Sequence, residues 1–187
     1  MAESKNNVIT HGLSGLVGDM IVFSTRNGKT IVSSKPKERT GEPTEGQKAH
    51  QAKFQQAILY AKAAINNPAT MQAYKDVSGN GITPYNVAVG DFLQAPDIDT
   101  IDVSKYTGKV GDTITVLVTD NFMVKEVTVT ILNADGTEVE KGNAVETGGI
   151  LGWVYTAKAA NASLDGDKIV VSASDVPGHI SEKEEVI

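Results

Sequence analysis

Three sets of residues have types and spacings that chemistry can use. The first lies in the stretch from residue 11 to residue 34, HGLSGLVGDMIVFSTRNGKTIVSS. There Gly12, Gly15 and Gly18 recur at every third position, and Gly28-Lys29-Thr30 follows. A phosphate-cradling glycine loop follows a strand and opens a helix, so that the helix N-terminus faces the anion. Here the order is reversed. The glycines precede an apolar, β-branched run, and Gly28-Lys29-Thr30 sits on a turn between two such runs. The spacing speaks against a phosphate site and for a close-packing, bendable lead-in that lets Leu13, Leu16 and Val17 dock against something.

The second set is the histidines, His11, His50 and His179, which stand far apart in the chain rather than at metal-ligand spacing. The third is acidic: Asp97, Asp99 and Asp102 in one run, Asp165 and Asp167 in an Asp-Gly-Asp turn. Calcium takes carboxylates of this kind, but no EF-hand spacing is present, and acids along a strand edge also keep a sheet soluble. Serine, histidine and aspartate all occur without a Gly-x-Ser-x-Gly elbow. There is no cysteine. The expectation is a protein that is not an enzyme and carries no cofactor and no metal.

Basic residues cluster as well. Arg26, Lys29, Lys35, Lys37, Arg39, Lys48 and Lys53 are interleaved with Glu38, Glu42 and Glu45, and only Phe54 offers a ring for base stacking. That pattern reads as a solvated hairpin tip and linker, against nucleic acid and for a protein partner.

The elements that position these residues follow from periodicity. Asp19–Ser24 and Lys29–Ser34 are strand-forming runs separated by Asn27-Gly28, a dipeptide that accepts the positive φ angles of a tight hairpin turn. The resulting register sets Phe23 opposite Val32, Thr25 opposite Thr30 and Arg26 opposite Lys29. Residues 35–46 (KPKERTGEPTEG) form a linker. Thr44 and Gln47 then make a capping box, and Phe54, Ala57, Ile58, Ala61 and Ile65 follow at helical spacing up to Asn66-Asn67-Pro68. A second helix presents Met71 and Tyr74. A third, capped by Thr83 with Pro84 at its first position, presents Tyr85, Val89 and Phe92.

From Ala95-Pro96 onward the hydrophobic period changes from 3.6 to 2. Strands are expected at Ile98–Val103, Thr113–Thr119, Val124–Leu132, Ile150–Ala157 and Lys168–Ala173, with a short last one near Glu185–Ile187. Val127, Val129 and Ile131 alternate with Thr128 and Thr130, one face in and one face out. The fold class is therefore α+β: an N-terminal β-hairpin plus short helices, then an antiparallel β-sandwich. The domains divide at 1–95, a docking and assembly part, and 96–187, the sandwich. Charge divides at the same place. Residues 1–96 carry ten Lys/Arg against seven Asp/Glu, and residues 97–187 carry seven against sixteen. Such a split favours head-to-tail contact between copies.

Residues 111–179 resemble the immunoglobulin-like β-sandwich modules of bacterial surface proteins and phage fibres. The resemblance rests on GDTITVLVTDNFMVKEVTVTI, on WVYTA at 153–157 and on DKIVVSASDVPGH at 167–179. Asp120, Asn121, Val124, Val127 and Val129 match the segment leading into the third strand. Ala173, Asp175 and Gly178 match the end of the penultimate one, where His179 replaces the usual Asn. The N-terminal part, through GLSGLVGD, a following Gly28-Lys29 and a Pro36-Lys37 segment, is similar to small uncharacterised proteins of Bacteroidetes and their phages. The resemblance implies a structural component of a virion or other extracellular assembly. The alternative is a carbohydrate- or protein-binding cell-surface adhesion module that uses Trp153 and Tyr155.

The assembly interface expected from the sequence comprises Leu13, Leu16, Val17, Met20, Val22 and Phe23. In the run Asp19–Phe23, Met20 and Val22 point one way and Ile21 and Phe23 the other. One face is expected to rest on the first helix; the other is expected to need a partner, either another copy of the chain or another assembly subunit, unless the second helix of the same chain covers it. The polar start, MAESKNN, is not followed by a signal-peptide core, and no apolar run approaches the roughly 20 residues of a membrane span.

Overall fold

The computed structural model describes residues 2–4, 9–10, 12–26, 28–38, 41–148 and 152–187. Among them the chain is α+β, with three helices and three four-stranded antiparallel sheets. The first sheet has the order β1 (Ala2–Ser4), β4 (Lys29–Ser34), β3 (Ile21–Arg26), β2 (Gly15–Val17). The β3–β4 register is the expected one: Phe23 faces Val32, Thr25 faces Thr30, Arg26 faces Lys29. Asn27 of the turn lies outside the described residues, and Gly28 has φ 74°.

The glycine triad does something other than lead in. Gly15 begins a strand that pairs antiparallel with β3, Leu16 opposite Val22 and Val17 opposite Ile21. The reversal is made by Gly18 (φ 58°) and Asp19 (φ 55°), consecutive left-handed residues of the kind that tight hairpins use. Lys35 fastens it, its backbone N–H donating to the Met20 carbonyl at 2.9 Å and its ammonium pairing with Asp19 at 2.7 Å.

The helices start and stop where the local chemistry directs. α1 (Glu45–Asn66) opens on the complete Thr44–Gln47 capping box. Asn67 ends it and caps α2 (Pro68–Val77), and Thr83 caps α3 (Pro84–Leu93). The buried stripe of α1 is Ala57, Ala61 and Ala64, whereas Phe54 is exposed. Small residues allow α3 to pack closely, with Ala88 wholly buried between the helices.

The remaining two sheets form the sandwich. One has the order β5 (Asp97–Asp102), β6 (Thr113–Thr119), β10 (Trp153–Thr156), β9 (Val145–Glu146). The other has the order β12 (Ile180–Val186), β11 (Lys168–Asp175), β7 (Val124–Leu132), β8 (Glu138–Asn143). Lettered along the chain as A, B, C, C′, D, E, F and G, these are A-B-E-D facing G-F-C-C′, which is immunoglobulin-like connectivity. Ile114, Val116 and Tyr155 from one sheet and Val127, Val129, Ile131, Ile169, Val171 and Ala173 from the other make a single core. Val127, Val129 and Ile131 are buried as their alternation with threonine requires.

Three sandwich strands depart from expectation. β8 and β9 are not expected as strands, and β12 begins at Ile180, five residues before the expected segment near Glu185. All three are outer strands that carry charge and bury little, so none alternates cleanly.

Candidate functional site

Two places in the molecule combine unusual chemistry with defined geometry. One is the first sheet. Register puts Leu16, Val22 and Ile31 on one face and Val17, Ile21, Phe23 and Val32 on the other. Of the six residues expected at an interface, Leu13, Leu16, Val17 and Met20 are 41%, 51%, 54% and 70% exposed, and Val22 and Phe23 are half-buried. The loop before β2 closes over part of one face, where the Gly12 N–H donates to the Thr30 hydroxyl at 3.3 Å and Thr30 is buried. The expected cover from the first helix is not there among the described residues, where no strand of this sheet makes more than marginal contact with α1. The reason is visible in α1, whose tightly packed face is alanine and is taken up by α3.

The other place is a seam where the helices meet the sandwich, and sequence reasoning missed it. The Phe122 ring lies on Tyr74 of α2 with centroids 4.5 Å apart. Phe92 of α3 meets the edge of the His179 ring at 5.1 Å and Tyr60 of α1 at 5.3 Å. Inside this aromatic frame lies a polar chain. The Tyr60 and Tyr74 hydroxyls are 2.7 Å apart, and Tyr74 donates to Asp91 Oδ2 at 2.5 Å. Asp91 and Tyr74 are fully buried, and Asp91 Oδ1 has no hydrogen-bond partner. On the sandwich side, buried Asp175 accepts from the backbone N–H groups of Gly178 (2.7 Å) and His179 (2.6 Å) and lies 2.6 Å from His179 Nδ1. Asp120, Asp175 and Gly178, three of the residues on which the resemblance rests, thus lie around this seam with His179, the residue that departs from it.

Its electrostatics follow from burial. Removal from water pushes the Asp91 carboxyl up to about 6; the Tyr74 hydroxyl and His179 oppose this, and the carboxylates of Asp120 and Asp175 add to it. Burial likewise raises the Tyr60 and Tyr74 hydroxyls. Three signals were available in the sequence: a lone acid in the otherwise uncharged helix PYNVAVGDFL, its position three residues after Ala88, and a histidine where the resembling family has asparagine.

Comparison with protein-family models, with curated proteins and with solved structures returns no match. The site must therefore be read from its own geometry. The seam has the groups of an acid–base site, but Tyr74, Asp91 and Asp175 are closed to solvent, so no substrate atom reaches them in this conformation. Among the described residues no group of three or more His, Asp or Glu side chains is arranged to hold a metal ion. Asp97, Asp99 and Asp102 lie along β5 with exposed side chains, and Asp102 accepts from the Ser104 N–H. Asp167 is spent on structure, accepting from the Ala134 N–H at 2.9 Å and from Asn161 at 2.7 Å.

The aromatics of the alternative reading separate. Tyr155 is a core residue whose hydroxyl donates to Glu140 at 2.9 Å. Burial and the Glu140 bond raise that hydroxyl. Trp153 is half-buried and borders an open groove of about 530 Å³, together with Val118, Asp120, Phe122, Met123 and Lys125. No described helix is long and apolar enough to cross a membrane.

Proposed function

We propose that this chain is a non-enzymatic structural protein of an assembly, docking through its first sheet and presenting the sandwich as its body. The observation that supports this reading is the exposure of Leu16, Val17, Met20 and Ile21 on a sheet that, among the described residues, no helix or other sheet covers with more than marginal contact. A small isolated sheet is marginal in water, and an apolar one gains stability by burying its faces against another chain. The edges point the same way. β5, β8, β9 and β12, the outer strands of the sandwich sheets, all carry acidic residues, which discourage strand pairing. β2, an outer strand of the first sheet, reads Gly-Leu-Val and carries none.

The partners are other copies of the chain or other subunits of the same assembly. The immunoglobulin-like resemblance of residues 111–179 supports a virion or other extracellular assembly as the setting. Sedimentation velocity of the full chain over a wide concentration range tests the docking. A mass that rises with concentration, and that Leu16→Asp with Met20→Asp returns to the monomer, is expected. A chain that stays monomeric at the highest concentration and is unchanged by the two substitutions contradicts self-docking.

A second reading, a carbohydrate- or protein-binding adhesion module, is favoured by the Trp153 groove alone. Quenching or enhancement of Trp153 fluorescence by a glycan panel would support it. With Tyr155 in the core, its ligand contact would rest on Trp153 and Met123.

A further inference from the structure

Asp91 is placed where a carboxylate is costly. It projects from α3 into the seam, has no solvent exposure, and receives one hydrogen bond, from Tyr74, while Oδ1 has none. An ionised carboxylate in such a place ordinarily collects two or three donors or a cation. The groups that face it are known from each element. α1 contributes the Tyr60 hydroxyl, which is bonded to Tyr74. Lys53 of the same helix donates instead to the Leu93 carbonyl at 2.9 Å. α2 contributes Tyr74, with Lys75 and Asp76 turned to solvent. The turn after β6 contributes Asp120, itself with a buried oxygen lacking a partner, and the end of β11 contributes Asp175. His179 is the one cationic candidate acting on Asp91, and its Nδ1 is already engaged with Asp175.

We propose that Asp91 is a proton-operated latch between the helices and the sandwich, closing the seam when its carboxyl is protonated and loosening it when the proton leaves. The neutral acid leaves two aromatic layers, Tyr60–Phe92–His179 and Tyr74–Phe122, packed around an uncharged group. The anion places a third negative charge beside Asp120 and Asp175 with a single donor to hold it. The sign follows from the direction of the shift. A carboxyl raised from 3.8 to about 6 binds its proton more tightly in the closed form. The stabilisation is therefore complete below the ordinary carboxylate range and is lost as pH rises through about 6. Loosening would bare the Phe92 and Phe122 rings, and so expose apolar surface of the helical layer and the sandwich at the same moment. This device does not depend on the docking of the first sheet.

Amide hydrogen exchange on the full chain tests it, at pH 5 and pH 8 with intrinsic rates corrected, comparing wild type with the isosteric Asp91→Asn. Protection at residues 89–93, 120–123 and 175–179 should fall between the two pH values by up to about 10-fold, the part of the linkage that lies between pH 5 and the raised carboxyl range. β7 should serve as an unchanged reference. In Asp91→Asn the same segments should hold one level of protection at both pH values. Equal pH profiles in the two proteins would overturn the latch. Should the Asn chain not fold, a carbon-13 titration of the wild-type Asp91 carboxyl decides: a midpoint near 6 supports the proposal, and one in the ordinary carboxylate range overturns it.

Discussion

The first sheet and the sheet β12-β11-β7-β8 are built from the same material and differ in what lies against them. Each has four antiparallel strands, with β-branched residues concentrated in the two central ones. In the second, Val127, Val129, Val171 and Ala173 reach zero exposure because a facing sheet supplies Ile114, Val116 and Tyr155. In the first, the equivalent positions stay exposed or half-buried, and Thr30 is the single buried residue between Gly12 and Glu38 among the described residues. β-Branched content therefore favours strand formation in both places, but burial comes only from a second layer. The sandwich brings its own second layer; the described residues supply none for the first sheet, and the proposed docking would bring it from another chain.

The largest expected effect tests the covered sheet. Val129→Asp buries an unpaired charge and should cost several kcal/mol, enough to unfold the sandwich in a thermal melt. Thr128→Asp, on the opposite face of the same strand, should cost under about 1 kcal/mol. Equal losses would mean that the two faces are not distinguished as described.

Next come two glycines with positive φ, one in each region. A Cβ at Gly108 (φ 83°) would lie 2.5 Å from the Asn161 carbonyl, whereas a Cβ at Gly18 (φ 58°) meets nothing within 4 Å. Gly108→Ala should destabilise the main unfolding transition by about 3 kcal/mol, from backbone strain plus overpacking. Gly18→Ala should cost about 1 kcal/mol of local strain and leave that transition in place. A shift of the main transition by Gly18→Ala as large as by Gly108→Ala would show that the two regions unfold as one.

Tyr74→Phe removes the one donor to Asp91 and should cost about 1–3 kcal/mol at pH 8. At pH 5, where the carboxyl is largely neutral, the loss in the same denaturant titration should be smaller. The smallest effect belongs to α1: Thr44→Ala deletes half of the capping box and should cost about 1 kcal/mol in the same assay.

What could be read beforehand divides by the range of the interaction that decides it. The β3–β4 register, the Thr44 and Thr83 caps and the buried face of β7 depend on residues within a few positions of one another, and the sequence displays all of them. β2 depends on seeing Gly18-Asp19 as a reversal, a signal masked by the regular glycine spacing. β8, EVEKGN, has too little alternation to announce itself. The seam is the furthest from legible. It brings the chain Tyr60–Tyr74–Asp91 near Asp120, Asp175 and His179, stretches up to 119 positions apart, so no local pattern announces the cluster. Only packing gives Asp91 its isolation.

The central claim, that the first sheet is completed by another chain, is tested most directly by amide hydrogen exchange of the full chain across protein concentration. The account predicts that β7 and β11 amides are protected equally at every concentration. Those of β3 and β4 should exchange fast when dilute and gain protection as concentration rises, in step with mass. Strong protection of β3 and β4 at the lowest concentration, where the chain is monomeric, would contradict it.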